Sequence, residues 1–356
     1  MKPRFRTVTL ASLAIAIGTV AALVISEVGL RLRGFQFTLY PTAVQFGWPD
    51  PVTVEHRYSL DEELFWVRRD YYSTLDTLAD RTVTVVHMGD SCTEIGRYDE
   101  HLASLILSDE PGSDYTFLNV GVGGWSSYQG RVQMERDIAR LRPAVATIYY
   151  GWNDHWRSYG VEDRYVGGFI RDPPPWLLAA SRLRIVQLVT LVGLLRSRRA
   201  NQSRSEAAER VSLADFEANL VAMVRTARTN GISPVLMTAP TAHRIGRGGG
   251  GFLVPRHLSD LARLVPLHQA YVEVVRKVSR DEGALLIDLH AEFAKVPVEE
   301  WDGLFSQDGI HPNERGNEWI AEIMYDRLVT TGFLARAMER VLMRSSGRSA
   351  PSGFVR

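Results

Sequence analysis

A glycine-flanked serine and a distant Asp–His pair are the residues of this chain with the clearest chemical potential. Ser91 follows Gly89 and Asp90 just after an apolar run with strand character. A glycine there lets the backbone turn sharply and exposes the serine hydroxyl at the carboxyl edge of a sheet. Asp308 and His311 lie three residues apart in a glycine-containing turn, and this spacing can aim both side chains the same way. A serine, a general base and a residue that orients the base are the parts of a serine acyl-transfer enzyme.

The base is best assigned to His311, because it alone among the nine histidines has an aspartate three residues before it. A serine hydroxyl is inert near neutral pH unless a base removes its proton. An aspartate beside the imidazole can fix its tautomer and stabilise the imidazolium. The alternative for Ser91 is a turn or a helix cap, which serine and aspartate often form.

Two further blocks lie between the serine and the histidine. Asn119-Val-Gly-Val-Gly-Gly124 follows one short apolar strand candidate, and Gly151-Trp-Asn153-Asp follows another. With the serine and histidine blocks, they reproduce in order the four motifs of the SGNH (GDSL-type) hydrolase family, which the chain resembles from roughly residue 82 to 330. Any one block alone would be weak, because short motifs recur by chance.

The resemblance implies a set of donors for the oxyanion of acyl transfer: the backbone N–H groups of Ser91 and Gly124 and the side-chain amide of Asn153. Gly121 and Gly123 compete with Gly124 for this role. Some family members rely on a backbone carbonyl in place of the aspartate, so Asp308 has that alternative. The resemblance implies no cofactor, and no cluster of His, Cys, Asp or Glu has the spacing of a zinc site.

Residues 82–150 alternate strand-like and helix-like stretches, which favours a parallel sheet with crossover helices. The predicted fold is therefore α/β, a flavodoxin-like three-layer sandwich with a central parallel sheet, preceded by an N-terminal transmembrane helix.

Composition excludes several functions. The net charge is +0, which argues against nucleic acid as a partner. The single cysteine, Cys92, allows neither an intrachain disulfide nor a cysteine zinc site, and packing is its expected role. Asp90 is expected to brace the loop. Trp125, Trp152 and Trp156 flank the motifs, either as core or rim residues or as a platform for sugar rings.

The N-terminus indicates the compartment. Three basic residues, Lys2, Arg4 and Arg6, precede an uncharged and mostly apolar run of about 20 residues, which is long enough to cross a bilayer. An uncleaved anchor is favoured over a cleaved signal, although small residues leave cleavage open. The basic cluster favours a cytoplasmic N-terminus, with the catalytic domain outside the cytoplasm.

The expected organisation has four parts. Residues 1–34 form the cytoplasmic stub and the anchor or signal, and residues 35–80 form a stalk or lead-in. Residues 81–335 form the hydrolase domain, with an insertion at about 157–211 that contains a helix packed on the domain or lying at the membrane or over the site. Residues 336–356 form a flexible tail.

The sequence therefore predicts a serine esterase that hydrolyses O-acyl esters, with acetyl as one candidate, of a cell-envelope glycan or lipid through an acyl-enzyme. An O-acyltransferase acting on a polysaccharide and a non-catalytic binding module are the alternatives. The acyl group and the oligomeric state cannot be read from the sequence.

Overall fold

The computed structural model describes residues 3–36, 57–61, 63–77, 84–112, 115–157, 162–165, 176, 179–180, 182–202, 208–245 and 260–345. Its strands are β1 (Tyr58–Asp61), β2 (Phe65–Arg68), β3 (Val85–Gly89), β4 (Phe117–Asn119), β5 (Val145–Tyr149), β6 (Ser233–Met237) and β7 (Leu285–Ile287). The last five form one parallel sheet in the order β4–β3–β5–β6–β7, and β1 and β2 form an antiparallel hairpin. This sheet order is that of flavodoxin-like folds, so the predicted fold class is confirmed.

Helices connect and cover the strands of the sheet. They are α1 (Pro3–Leu32), α2 (Tyr71–Thr77), α3 (Ser91–Glu94), α4 (Tyr98–Asp109), α5 (Ser127–Gln133), α6 (Ala139–Leu141), α7 (Arg184–Gln202), α8 (Leu213–Thr229), α9 (Leu261–Glu282), α10 (Leu289–Ala294), α11 (Glu314–Tyr325) and α12 (Phe333–Ser345). π-helical turns follow α5 at Met134–Ile138 and α11 at Asp326–Thr330, and Val298–Gly303 is a 3₁₀ helix.

Two apolar clusters lie on opposite faces of the sheet. Side chains alternate between the faces of a strand, so Val86 and Met88 of β3 enter one cluster while Val85 enters the other. The first cluster also contains residues of the β1–β2 hairpin, α5 and α8, and the second contains residues of α4, α11 and α12. These two layers around the sheet make the three-layer sandwich.

The hairpin changes the predicted domain boundary. Residues 35–80 were expected to form a stalk or lead-in, but Phe65 and Trp66 of β2 are fully buried in the first cluster. The described residues 57–77 therefore belong to the folded body, because burying these aromatic side chains removes a large apolar area from water. Residues 37–56 of the expected stalk lie outside the described residues.

The C-terminal boundary changes as well. Helix α12 includes residues 336–345, which were assigned to a flexible tail. Leu334 and Ala337 of this helix are buried in the second cluster, and this burial explains why the segment is ordered. The rest of the expected tail, residues 346–356, lies outside the described residues.

The expected insertion, residues 157–211, is described in part. Its helix is α7, which begins at Arg184 and contacts α1. The proline-rich segment 172–175 and the glycine-rich loop 246–251 lie outside the described residues.

Helix α1 contains a stretch that is long and apolar enough to cross a membrane. This stretch, Ser12–Leu32, has 21 residues and a mean hydropathy of 2.2, and none of it is buried within the protein. An anchor and a signal sequence both have this length and composition.

Candidate active site

The side chains of Ser91, His311 and Asp308 form a continuous row of hydrogen bonds, although Ser91 is far from the other two in sequence. Ser91 Oγ lies 2.8 Å from His311 Nε2, and His311 Nδ1 lies 2.5 Å from Asp308 Oδ2. Ser91 begins α3 directly after β3, and His311 precedes α11 by two residues. The structure thus brings together two sequence blocks that are 220 residues apart.

Local hydrogen bonds explain how the serine is presented. Asp90 is the N-cap of α3, and its Oδ1 accepts the backbone N–H of Cys92 at 2.9 Å. At Gly89, a Cβ atom would lie 2.0 Å from Thr93 Oγ1 and 2.8 Å from Tyr149 O, so only glycine fits this turn. Asp90 thus braces the loop that carries Ser91.

The turn that carries the histidine is held by the same aspartate that contacts the imidazole. Asp308 Oδ1 accepts the backbone N–H groups of Ile310 at 2.9 Å and His311 at 3.0 Å. Gly309 has a φ of +69°, in the left-handed region that favours glycine. The Asp-x-x-His spacing therefore positions both side chains through the turn's own backbone.

Electrostatics in the row favour a charged carboxylate and a basic imidazole. Burial raises the pKa of Asp308, but hydrogen bonds and the charge of His311 outweigh it and lower that pKa to about 2. Burial lowers the pKa of His311, but its hydrogen bond to Asp308 and the charges of Asp308 and Asp90 raise it above the ordinary value. The imidazole is therefore a stronger base than a free histidine.

Hydrogen bonds in the glycine loop after β4 distinguish among Gly121, Gly123 and Gly124 as candidate oxyanion donors. Gly121 N–H donates to Asn119 Oδ1 at 3.0 Å, and Gly123 N–H donates to Glu94 Oε2 at 2.5 Å. Gly124 N–H makes no hydrogen bond with the residues that the structure describes, and Gly124 lines the cleft beside Ser91. Of the three N–H groups, that of Gly124 is the one available to a ligand in this structure.

Asn153 lines the same cleft, but its amide is engaged. Its Nδ2 lies 3.1 Å from Asp90 Oδ2 and 3.0 Å from Trp125 O. To donate to an oxyanion, the amide must share or exchange one of these bonds. Burial raises the pKa of Asp90 to about 6, against the lowering effects of Cys92, His311 and Arg210.

The model of the GDSL-like lipase/acylhydrolase family matches residues 87–319, about two thirds of the chain. The chain belongs to this family. The acylhydrolase is accordingly a carboxylic ester hydrolase.

Solved structures with similarity to the acylhydrolase are distant in sequence. An acetyl xylan esterase, AlAXEase, is 17% identical, with 69% of this chain and 100% of that chain covered and a TM-score of 0.47. A lipase/acylhydrolase from Enterococcus faecalis is 15% identical, with 69% and 95% covered and a TM-score of 0.45. An acetylxylan esterase from Geobacillus stearothermophilus is 17% identical, with 69% and 94% covered and a TM-score of 0.44. No curated protein matches the chain.

The cleft of the acylhydrolase contains residues that the sequence did not single out. These are Arg57, Tyr58, Glu94 and Ile95, which line it together with Trp156 and the motif residues. Its volume is about 200 Å³. Glu94 could have been found, because it lies three residues after the serine and one turn of helix carries both. Ile95 directly follows Glu94 at the end of α3, and no local pattern marks Arg57 and Tyr58, since they come from the hairpin side.

The three tryptophans near the motifs are packed inside the acylhydrolase. Trp125, Trp152 and Trp156 are 0–3% exposed. Trp125 and Trp152 belong to the apolar clusters, which fits the core alternative rather than a sugar platform. Cys92 is buried too, and its Sγ lies 3.8 Å from Ile310 O, so the cysteine packs between the serine turn and the histidine turn.

One group of side chains in the described residues has the geometry of a metal site. Ligand atoms of His101, Glu314 and Glu318 lie within 4.8 Å of one another. Glu314 is also paired with Arg97 at 3.1 Å, and it is 55% exposed. This charge pairing and exposure are those of a solvated surface cluster.

Proposed function

We propose that this protein is a serine esterase that cleaves O-acyl esters through Ser91, His311 and Asp308 and an acyl-enzyme intermediate. The observation that carries the proposal is the continuous row of hydrogen bonds from Ser91 Oγ through the imidazole to the Asp308 carboxylate. In this arrangement Nε2 can accept the serine proton while Nδ1–H remains bound to the carboxylate.

The reaction begins when Ser91 Oγ attacks the ester carbonyl carbon and its proton moves to His311 Nε2. The carbonyl oxygen becomes an oxyanion, which the N–H groups of Ser91 and Gly124 and the amide of Asn153 stabilise. The tetrahedral intermediate then collapses. The bond to the leaving alcohol breaks, the imidazolium protonates that alcohol, and an acyl-serine remains. Water, deprotonated by the same imidazole, repeats these steps and releases the acid.

The proposed substrate is a short O-acyl ester, such as acetyl, on a glycan or lipid of the cell envelope. A cleft of about 200 Å³ is smaller than typical pockets for drug-sized ligands and suits a short acyl group. Helix α1 would hold the domain at the membrane, and the basic cluster Lys2, Arg4 and Arg6 would keep the N-terminus in the cytoplasm. The domain would then face the envelope.

Labelling with a fluorophosphonate tests the nucleophile directly. The wild type should form a covalent adduct on Ser91, and Ser91→Ala should form none. Ser104→Ala, which removes an exposed serine of α4, is the matched control and should label as the wild type does. Absence of an adduct in the folded wild type, or an adduct on another serine, would contradict the proposal.

Whether water or a glycan hydroxyl accepts the acyl group is tested by incubating the soluble domain with an acetyl donor and envelope glycans. A hydrolase releases free acetate and leaves glycan mass unchanged or reduced. Glycans that gain acetyl faster than free acetate appears would identify an O-acyltransferase instead.

Fusions of alkaline phosphatase and of a fluorescent protein to the C-terminus of the full chain test the topology, since the phosphatase is active only after export.

A further inference from the structure

Side chains from three separate parts of the chain hold three consecutive peptide groups around Gly123 and Gly124, and Trp66 binds the one that contains the Gly124 N–H. Trp66 Nε1 donates to Gly123 O at 3.0 Å, Glu94 Oε2 accepts Gly123 N–H at 2.5 Å, and Arg210 Nη1 donates to Gly124 O at 2.6 Å. A trans peptide is planar, so the carbonyl of Gly123 and the N–H of Gly124 point in opposite directions. The bond from Trp66 therefore sets the direction of the Gly124 N–H.

The arginine contact is rigid because it is fully buried. Arg210 and Asp163 are both 0% exposed and form a two-pronged pair, with Nε–Oδ1 at 3.1 Å and Nη2–Oδ2 at 2.8 Å. Asp163 Oδ2 also accepts Ser126 Oγ–H at 2.7 Å. This pair comes from the two ends of the insertion, so the insertion supports the glycine loop.

The side chains that make the other two contacts, Trp66 and Glu94, are also shielded from solvent. Trp66 is 0% exposed, and its backbone carbonyl accepts Trp125 Nε1–H at 2.8 Å, which ties the hairpin to the residue after Gly124. Glu94 is 9% exposed and also accepts Tyr58 O–H at 2.9 Å. Glu94 thus links the hairpin, the turn after the serine and the glycine loop.

A loop of two glycines needs such support. Gly124 has a φ of +78°, and without a Cβ it can adopt many other conformations at little steric cost. A donor stabilises an oxyanion only when it already points at the position where the charge develops. Gly124 lines the cleft beside Ser91, and its N–H would change direction if the peptide rotated.

We infer that Trp66, Glu94 and Arg210 are positioning residues that orient the Gly124 N–H as an oxyanion donor. The inference rests on the proposed function, since it assigns a role within that reaction. None of the three needs to touch the reacting atoms, because each acts through the backbone of the glycine loop. The hairpin and the insertion, which lie outside the four motifs, would then be parts of the catalytic apparatus.

The test compares two buried tryptophans in the purified protein on p-nitrophenyl acetate. Trp66→Phe removes one N–H donor and keeps an aromatic ring. Trp301→Phe is the matched control, because Trp301 is 2% exposed and its Nε1 donates to Val296 O at 2.9 Å outside the cleft. We expect Trp66→Phe to lower kcat by about tenfold or more with KM within about twofold, since an oxyanion donor acts in the transition state. The control should keep kcat within about twofold, whatever its loss of Tm.

Variants of the other two residues test the same inference without the tryptophan. Arg210→Met combined with Asp163→Asn removes the bond to Gly124 O and leaves no unpaired buried charge. Glu94→Gln keeps an acceptor for Gly123 N–H, whereas Glu94→Leu does not. We expect the double variant and Glu94→Leu to lose kcat, and Glu94→Gln to retain it within about threefold.

The outcomes separate this inference from the proposed function. Folded variants with wild-type kcat, or a loss in Trp301→Phe equal to that in Trp66→Phe, would overturn the positioning role while hydrolysis by the wild type stands. A wild type that neither hydrolyses the ester nor labels with a fluorophosphonate would overturn the proposed function and this inference with it.

Discussion

Among the histidines that the structure describes, those in the sheet and around the candidate site occupy two contrasting environments. His311 lies beside two carboxylates, and although burial lowers its pKa, their effect is larger and raises it. His87, in the centre of the sheet, is fully buried without such a partner, and burial alone lowers its pKa to about 3. Burial likewise lowers the pKa values of His243, His268 and His290.

The contrast shows that a carboxylate hydrogen-bonded to the imidazole, and not the degree of burial, distinguishes a base from a core histidine. His268 stacks on Trp152 with ring centroids 4.1 Å apart, and its Nδ1 lies 3.0 Å from His155 Nε2. Burial favours the neutral form of His268, whose Nε2 lies 2.9 Å from Ala239 O after β6. In His311 the neighbouring carboxylates stabilise the imidazolium, so this residue can accept a proton during the reaction.

The largest expected effect is on catalytic activity, and it follows removal of the side chain of Ser91 or of His311. Ser91→Ala and His311→Ala should each lower kcat/KM for p-nitrophenyl acetate by on the order of 10³-fold or more, because the nucleophile and its base act as a unit. Circular dichroism should show both variants folded. His290→Asn, which replaces a histidine outside the cleft, should stay within about threefold of the wild type. Near-wild-type turnover in Ser91→Ala or His311→Ala would refute the assignment.

The pH dependence should follow the raised pKa of His311. The base must be neutral, so activity should be present above this pKa and fall as pH drops through it. An ordinary histidine titrates near ~6.5, so at pH 5 the rate should be at least about 30-fold below its plateau. Initial rates between pH 5 and 9, with recovery after return to pH 8, measure this. A rate independent of pH from about 5 to 8 would exclude His311 as the base.

Asn153→Asp should lower kcat by at least about tenfold, or 1.4 kcal/mol. The substitution replaces an amide donor with a group that repels both the developing oxyanion and Asp90, which lies 3.1 Å from the amide nitrogen. Asn219→Asp, a change of the same type outside the cleft, is the control for folding. A variant that keeps more than about a tenth of the wild-type rate would remove Asn153 from the oxyanion site.

The smallest expected effect is a change in thermal stability with pH, which arises from the buried histidines. The folded pKa of His87 is depressed, so its contribution to stability is present above about 6.5 and is lost as pH falls towards about 3. At pH 5 this loss is about 2 kcal/mol. His311 has the opposite sign, since its contribution is present below about 6.5 and is lost as pH rises through its raised pKa. The raised pKa values of Asp90 and Asp154 also favour the folded state as pH falls, so the His87 contribution is read from a comparison of two proteins. Between pH 7 and pH 5 the Tm of the wild type should change less favourably than the Tm of His87→Gln. Equal changes in both proteins would contradict this account.

Local patterns made the reactive residues visible in the sequence. The Asp-x-x-His spacing works through one turn, and the strand before Ser91 is apolar, so both could be recognised without knowledge of the rest of the fold. The alternation of strands and helices predicts the parallel sheet with its crossover helices, and the strand order is that of the flavodoxin-like fold class. The catalytic roles of these residues stay predictions until they are tested.

Contacts between distant segments could not be predicted in this way. Nothing near Trp66 or Arg210 in the sequence indicates that both hydrogen-bond the loop at Gly123 and Gly124. The choice among the three glycines likewise depends on Asn119 and Glu94 accepting two of the N–H groups. The boundaries at residues 57 and 345 were missed because they depend on which side chains find room in the apolar clusters.

Because Cys92 is packed between the serine turn and the histidine turn, the reactivity of its thiol can report when these turns separate. Burial raises the pKa of this thiol well above its usual value, so it cannot react with an alkylating reagent while the serine and histidine turns remain packed around it. It is also the only cysteine in the sequence. The rate at which iodoacetamide modifies the native protein would therefore report how often these two turns separate.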